Sequence, residues 1–196
     1  MMEDINVYNI SANNQEKTDR QKENWLDWQT ILKMYDDYEK QYAHLLDKEN
    51  LTKKEFYKLQ TYVILSLYIL IPPLRSLNYT EMKTRNFNKY EDNYRDKSSF
   101  VFNIYKNSNR KGQDVIEIPL KLKNILIKWE NINTDSDYLL IDTQKNKLNQ
   151  TKLNAILNNF FDRNIGPSML RHIYLTEKFG NVNLKEIAET ADKMQH

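Results

Sequence analysis

The chain has no cysteine, which excludes disulfide bonds and thiolate metal sites. Its three histidines, His44, His172 and His196, are scattered and offer no zinc-ligand spacing, so neither a metal nor a cofactor is expected. Glycine is almost as scarce, three in 196 residues, and proline numbers four; each one that does occur punctuates the chain. The longest apolar stretch, Val63 to Ile71, falls far short of the ~20 residues needed to span a bilayer. The N-terminus carries acids where a secretory signal would need a basic and then an apolar segment. The expectation is therefore a soluble, intracellular, non-secreted protein with no membrane partner. An excess of one charge is also missing: 29 Lys and Arg against 27 Asp and Glu leave a net +2, so an anionic partner would have to be met by local patches.

What is present reads as one domain with a sizeable core. Residues 1–20 are polar without sustained periodicity and read as a flexible lead-in, and structure is expected from Gln21 onward. Trp25, Trp28, Leu32 and Tyr35 recur at helical spacing, which predicts one aromatic face of one helix. Thr52 and Glu55 stand at capping-box spacing ahead of a helix that becomes apolar on nearly all sides, and Pro72 and Pro73 stop it. "SSFVFNIYK" and "DVIEIPL" are rich in β-branched and aromatic residues and flank Asn107 to Gln113, the pattern of a β-hairpin with a basic tip. Leu122, Ile125, Leu126 and Trp129 predict a further helix, and "YLLI" a short strand or buried turn. Another helix is expected over "NQTKLNAILNNFF", with Leu153, Ile156, Leu157, Phe160 and Phe161 inward. Gly166 and Pro167 precede a helix over "SMLRHIYLTEKF", closed by Gly180. Asn183 and Glu186 form an N-cap pair for a last one. The predicted class is mainly α with a small antiparallel β-sheet or hairpin, an α+β architecture.

Three cationic features stand out by their placement. Arg75 follows the buried helix, Lys106, Arg110 and Lys111 surround the hairpin tip, and Arg171 interrupts an apolar helix. Between Ile104 and Lys128 there are six Lys or Arg against two Asp or Glu, so the hairpin and the helix after it are locally basic. Guanidiniums on rigid elements suit a phosphate, because each can donate two parallel hydrogen bonds and stays protonated. Singly, each feature has an ordinary reading: Arg75 as a helix-end cap or salt bridge, Arg171 as a partly buried ion pair with Glu177 or Asp162, and the hairpin as a solvated turn.

Taken in order, the series "LR" after a buried helix, a lysine entering a hairpin turn, "SMLRH" opening a helix and "LKEIAETADKMQH" at the end resembles the catalytic domain of tyrosine recombinases, the phage-integrase family. It looks most like the members from large DNA viruses and their mobile elements. The resemblance runs from about Gln21 to the end. It implies that Arg75 and Arg171 are the family's two arginines and that Asn78 stands where an acid is usual. Lys106 is the hairpin lysine, with Lys111 as the alternative. Ser168 replaces the first histidine of the H-x-L-R-H box, followed by His172, and Met194 to His196 match the "MGHS" ending.

The chemistry so implied is strand cleavage and rejoining of double-stranded DNA without a metal, through a 3′-phosphotyrosyl link. Arg75, Arg171 and His196 would stabilise charge on the non-bridging oxygens, and Lys106 would protonate the leaving oxygen. Arg110, Lys111, Lys121, Lys123 and His172 would contact DNA. Ser168 can donate one hydrogen bond but cannot serve as an imidazole base. The family's nucleophilic tyrosine lies beyond the position matched by His196, so residues 21–196 read as a catalytic domain ending before its nucleophile, expected to bind DNA and not to cleave it. The alternative is a non-catalytic DNA-binding protein on an integrase fold; an all-helical interaction protein is a third class. The resemblance further implies a tetramer on DNA for a full-length protein, a monomer for this chain, and a location wherever the target DNA is, the host nucleus or a viral replication compartment.

Overall fold

The computed structural model describes residues 18–106 and 108–179. It is mainly helical with one small mixed sheet. Helix α1 (Asp19–Asn24) starts at a Thr18–Gln21 capping box. The chain then leaves helical geometry at Trp25 and re-enters it at Asp27, whose carboxylate accepts from the Thr30 N–H at 2.8 Å and opens α2 (Trp28–Tyr42). The helix expected from Trp25 through Tyr35 thus begins only at Trp28 and leaves Trp25 outside it, because Asp27 is a stronger start signal than aromatic periodicity is a continuity signal. Trp28, Ile31 and Tyr35 form the buried face of α2.

A 3-10 turn (Ala43–Asp47) leads to the second capping box, in which Thr52 and Glu55 satisfy each other's backbone N–H groups at 2.9 and 3.3 Å. The box opens α3 (Lys53–Ile69), the central helix. From Tyr62 to Tyr68 every residue is buried, so the helix is covered on all sides. It packs against α2 and against α6 (Leu120–Ile132), whose Leu122, Ile125, Leu126 and Trp129 face inward as their spacing predicts.

The sheet runs β1 (Met82–Lys83), β2 (Asn93–Asp96), β3 (Ser99–Phe102), β4 (Asp114–Glu117) in both sequence and space. The β2–β3 and β3–β4 pairs are antiparallel, and the two-residue β1 lies parallel to β2. The sheet is therefore larger than the expected hairpin. Strand β3 supplies the anchor: Phe100 and Phe102 are fully buried. The "YLLI" segment is neither a full strand nor a free turn. It bridges β1 through Tyr138 and Lys83, and Leu139 N–H donates to the Met82 carbonyl at 2.8 Å. Its next carbonyls are met by side chains: Trp129 donates to Leu139 O at 2.8 Å, and the buried Gln60 both donates to and accepts from Ile141, each at 2.9 Å.

Two helices complete the fold. In α7 (Gln150–Phe161), capped by Asn149, Leu153, Leu157 and Phe161 are buried while Ile156 and Phe160 are half-buried. Then α8 (Pro167–Phe179) presents Met169, Leu170, Arg171 and Ile173 to the interior. Among the described residues no helix is long and apolar enough to cross a membrane.

Candidate functional site

Pro72 and Pro73 end the path of α3, Leu74 is fully buried, and Arg75 follows in extended geometry as the N-cap of a short helix, α4 (Ser76–Thr80). Proline lacks an N–H and fixes its φ, so the turn is stiff and the half-buried Arg75 is set on rigid backbone. Its carbonyl accepts from the Asn78 N–H at 3.1 Å. Asn78 is fully buried beneath it, an amide where the family resemblance leads one to expect an acid.

Contacts between elements bring the second arginine to the first. Ser76 in α4 donates to the Gln150 side chain at the start of α7 at 2.7 Å, and α4 packs on α7. At the far side of α7, a Cβ placed on Gly166 would lie 2.2 Å from Asn154 Oδ1, so the absence of a side chain lets the entry of α8 approach α7. Arg171, on the inward face of α8, is only 6% exposed.

Arg75 and Arg171 sit close enough for their charges to interact. Burial first, and then the Arg75 charge, pull Arg171 down to about 10, with the nearby Tyr68 working in the opposite direction. The side chain stays protonated at neutral pH. The downward pull is a penalty on the order of 3 kcal/mol for holding that charge where it is. The fold thus keeps two guanidiniums together against desolvation and mutual repulsion. A bound anion would relieve both costs and could take two parallel hydrogen bonds from each fork.

Ser168 and His172 are both exposed and lie one turn apart on α8. With Gln21, Asn154, Asn164, Gly166 and Met169 they line a polar cavity of about 310 Å³. The covered part of the His172 ring and the Arg171 charge hold that imidazole below its ordinary value.

The hairpin tip is not an open turn. Between β3 and β4 the chain makes one helical turn, α5 (Ser108–Lys111). Tyr105 is buried and donates its hydroxyl to Gly112 O at 2.9 Å, Ser108 Oγ donates back to Tyr105 O at 3.0 Å, and Gly112 reverses the chain at φ +72°. Lys106, Arg110 and Lys111 are exposed around this clamp. Lys89 joins them, although sequence reasoning missed it: Asn103 and Gln113 side chains donate to its carbonyl at 3.1 and 3.3 Å. The only sequence clue was the Asn-rich stretch around it.

Two other predicted DNA contacts fare differently. Lys121 forms an ion pair with Glu39 at 2.7 Å and lies 5.4 Å from the Tyr35 ring centre, so its charge is already engaged with α2. Lys123 is half-buried on α6. Met194, His196 and the helix predicted from Asn183 lie outside the described residues, as does the expected Gly180 stop. Among the described residues no three His, Asp or Glu side chains gather where they could hold a metal ion.

Solved structures offer distant likenesses. The solved structure titled "Crystal structure of XerA recombinase" superposes with a TM-score of 0.48 and 13% sequence identity, over 75% of this chain and 58% of that one. This chain thus overlaps less than two thirds of that protein's length. No family model matches the sequence, and no curated protein does.

Proposed function

We propose that this chain is a DNA-binding, recombinase-like domain whose phosphate site is the pair Arg75 and Arg171. The observation that carries the reading is the convergence of these two arginines from distant parts of the sequence, held together despite like charge. A guanidinium held on rigid backbone suits a phosphate, because it can donate two parallel hydrogen bonds and stays protonated. The exposed Lys106, Arg110, Lys111 and Lys89 form a second cationic zone at the sheet tip, suited to backbone phosphates of a duplex.

In the integrase reading, a tyrosine oxygen attacks phosphorus, the bond from phosphorus to the 5′-oxygen breaks, and that oxygen takes a proton from Lys106. Arg75 and Arg171 steady the non-bridging oxygens in the transition state, with His196 as the third group, and Ser168 adds one hydrogen bond. Tyr68, whose hydroxyl feels the Arg171 charge, and Tyr79, which meets the Tyr68 ring edge-on, do not qualify as nucleophile: both are fully buried and desolvation raises both hydroxyls far above their ordinary value. The domain accordingly binds the phosphate, and cleavage depends on a tyrosine from outside the described residues. Ser168 in place of an imidazole and Asn78 in place of an acid favour a second reading, a DNA-binding protein that keeps the phosphate site without strand cleavage.

Two measurements separate these readings. Affinity for a DNA duplex should fall steeply with salt and drop at least tenfold in the Arg75→Ala, Arg171→Ala double variant; unchanged affinity would remove the arginine pair from the function. Offered to a version of the gene extended past His196, a suicide DNA substrate carrying the recombination site should trap a covalent adduct if the domain acts as an integrase. Tight binding with no adduct supports the non-catalytic reading.

A further inference from the structure

Tyr90 is the most exposed large apolar side chain among the described residues, 88% open to solvent. Of the five such side chains that the described residues leave exposed, three belong to one end of the sheet: Tyr90, Ile104 and Val115. Exposed singly, each would be ordinary. Gathered at one place, they mark a surface that a partner covers.

Hydrogen bonds do the gathering. In the turn before β2, Asn88 Oδ1 accepts from the Tyr90 N–H at 3.0 Å. The Asn88 N–H donates to the Asp92 carboxylate at 2.8 Å, and Lys83 pairs with that carboxylate at 2.8 Å. The Lys89 carbonyl, next to Tyr90, accepts from the Asn103 side chain at 3.1 Å and from Gln113 at 3.3 Å, and Gln113 donates to Asn103 at 3.0 Å. Asn103 adjoins Ile104, and Gln113 stands two residues before Val115. The Tyr90 turn is therefore stapled to both ends of the segment that carries Lys106 and Arg110. A ring on backbone this well tied loses little freedom when it is covered.

Charge tells what covers it. Lys89, Lys106 and Arg110 are exposed at the same end. Of the two acids in the turn, Asp92 is neutralised by Lys83, and Glu91 accepts from the Asn88 amide at 2.9 Å. Apolar side chains set among cations match a duplex, where phosphates border a groove lined by sugars and base edges.

We propose that Tyr90 is a DNA-contacting residue whose ring packs against the sugars and base edges of a groove, between phosphates met by Lys89, Lys106 and Arg110. The ring carries no charge, so its contact adds affinity without releasing counterions. This inference rests on the reading of the chain as a DNA-binding domain.

The test measures affinity of the full chain for a short DNA duplex across a series of salt concentrations, with thermal unfolding and sedimentation alongside. Tyr90→Ala should bind about fivefold more weakly or worse at every salt concentration, the loss expected on truncating an anchoring aromatic, with the salt slope unchanged. Tyr90→Phe keeps the ring and should stay within about twofold of wild type. Leu120, 72% exposed beyond the opposite end of β4, is the control: Leu120→Ala should leave affinity as it was. Wild-type affinity in Tyr90→Ala overturns the inference, as does an equal loss in Leu120→Ala. A Tyr90→Phe protein as weak as Tyr90→Ala overturns it too, because the hydroxyl and not the ring then makes the contact. So does a Tyr90→Ala protein that melts earlier, or one that changes self-association and leaves DNA affinity intact. If wild type shows no salt-dependent DNA binding, the DNA-binding reading falls and takes this one with it. If the Arg75→Ala, Arg171→Ala variant loses affinity while Tyr90→Ala does not, this inference alone fails. If Tyr90→Ala loses affinity while that double variant does not, the arginine site falls and the contact at the tip stands.

Discussion

Gln60 shows how a single residue can do the work of a strand. Its side-chain amide pairs with both the N–H and the carbonyl of Ile141, at 2.9 Å each, and it is 2% exposed. Without it, two backbone groups would be buried unsatisfied. Gln60→Ala should therefore destabilise the protein by about 2–4 kcal/mol, read from urea unfolding midpoints, well above the effect of an ordinary surface glutamine. The pairing could not be read from the chain, where glutamine in a helix suggests an exposed position. Arg75 and Arg171 were legible for the opposite reason. A permanent charge within an apolar stretch breaks the local pattern, and the structure does bury one arginine and half-bury the other.

At the scale of elements, local chemistry was the reliable guide. The Thr52–Glu55 capping box, the proline stop after α3 and the Gly166–Pro167 break all stand where the sequence puts them. Apolar periodicity overreached at Trp25, where Asp27 restarts the helix. Strands β1 and β2 were missed because Met82–Lys83 is only two residues long and the segment before Asn93 is polar, so neither shows alternation. The capping box also carries a pH signature. The Lys48 ammonium, followed by the Thr52 backbone N–H and hydroxyl, pulls Glu55 from 4.5 down to about 2. A carboxyl with a depressed folded value stabilises the fold above its unfolded value and loses that contribution as pH falls through the folded one. The stability gap between wild type and Glu55→Gln should accordingly be widest above pH 4.5 and close toward pH 2, as followed by urea midpoints across that range. A gap independent of pH would mean the carboxylate charge plays no part in the cap.

For the molecule as a whole, the near-zero net charge hides where cations are free to meet a polyanion. Sequence spacing grouped Lys121 with the hairpin cations, yet the fold assigns it to Glu39 on α2, a pairing across a large sequence separation that composition cannot reveal. Lys106 and Arg110 remain exposed at the sheet tip, on a turn stiffened by Tyr105 and Gly112. Counterion release makes this difference measurable. Each phosphate neutralised adds roughly 0.9 to the slope of log affinity against log salt. Lys106→Ala and Arg110→Ala should each lower the slope for duplex binding by about 1 while leaving the melting temperature unchanged. Lys121→Ala should leave the slope where it was and instead cost up to about 1 kcal/mol of stability, the usual range for a half-exposed ion pair. A drop in slope with Lys121→Ala would mean that DNA displaces Glu39, and that the duplex reaches along α6 as well as across the tip.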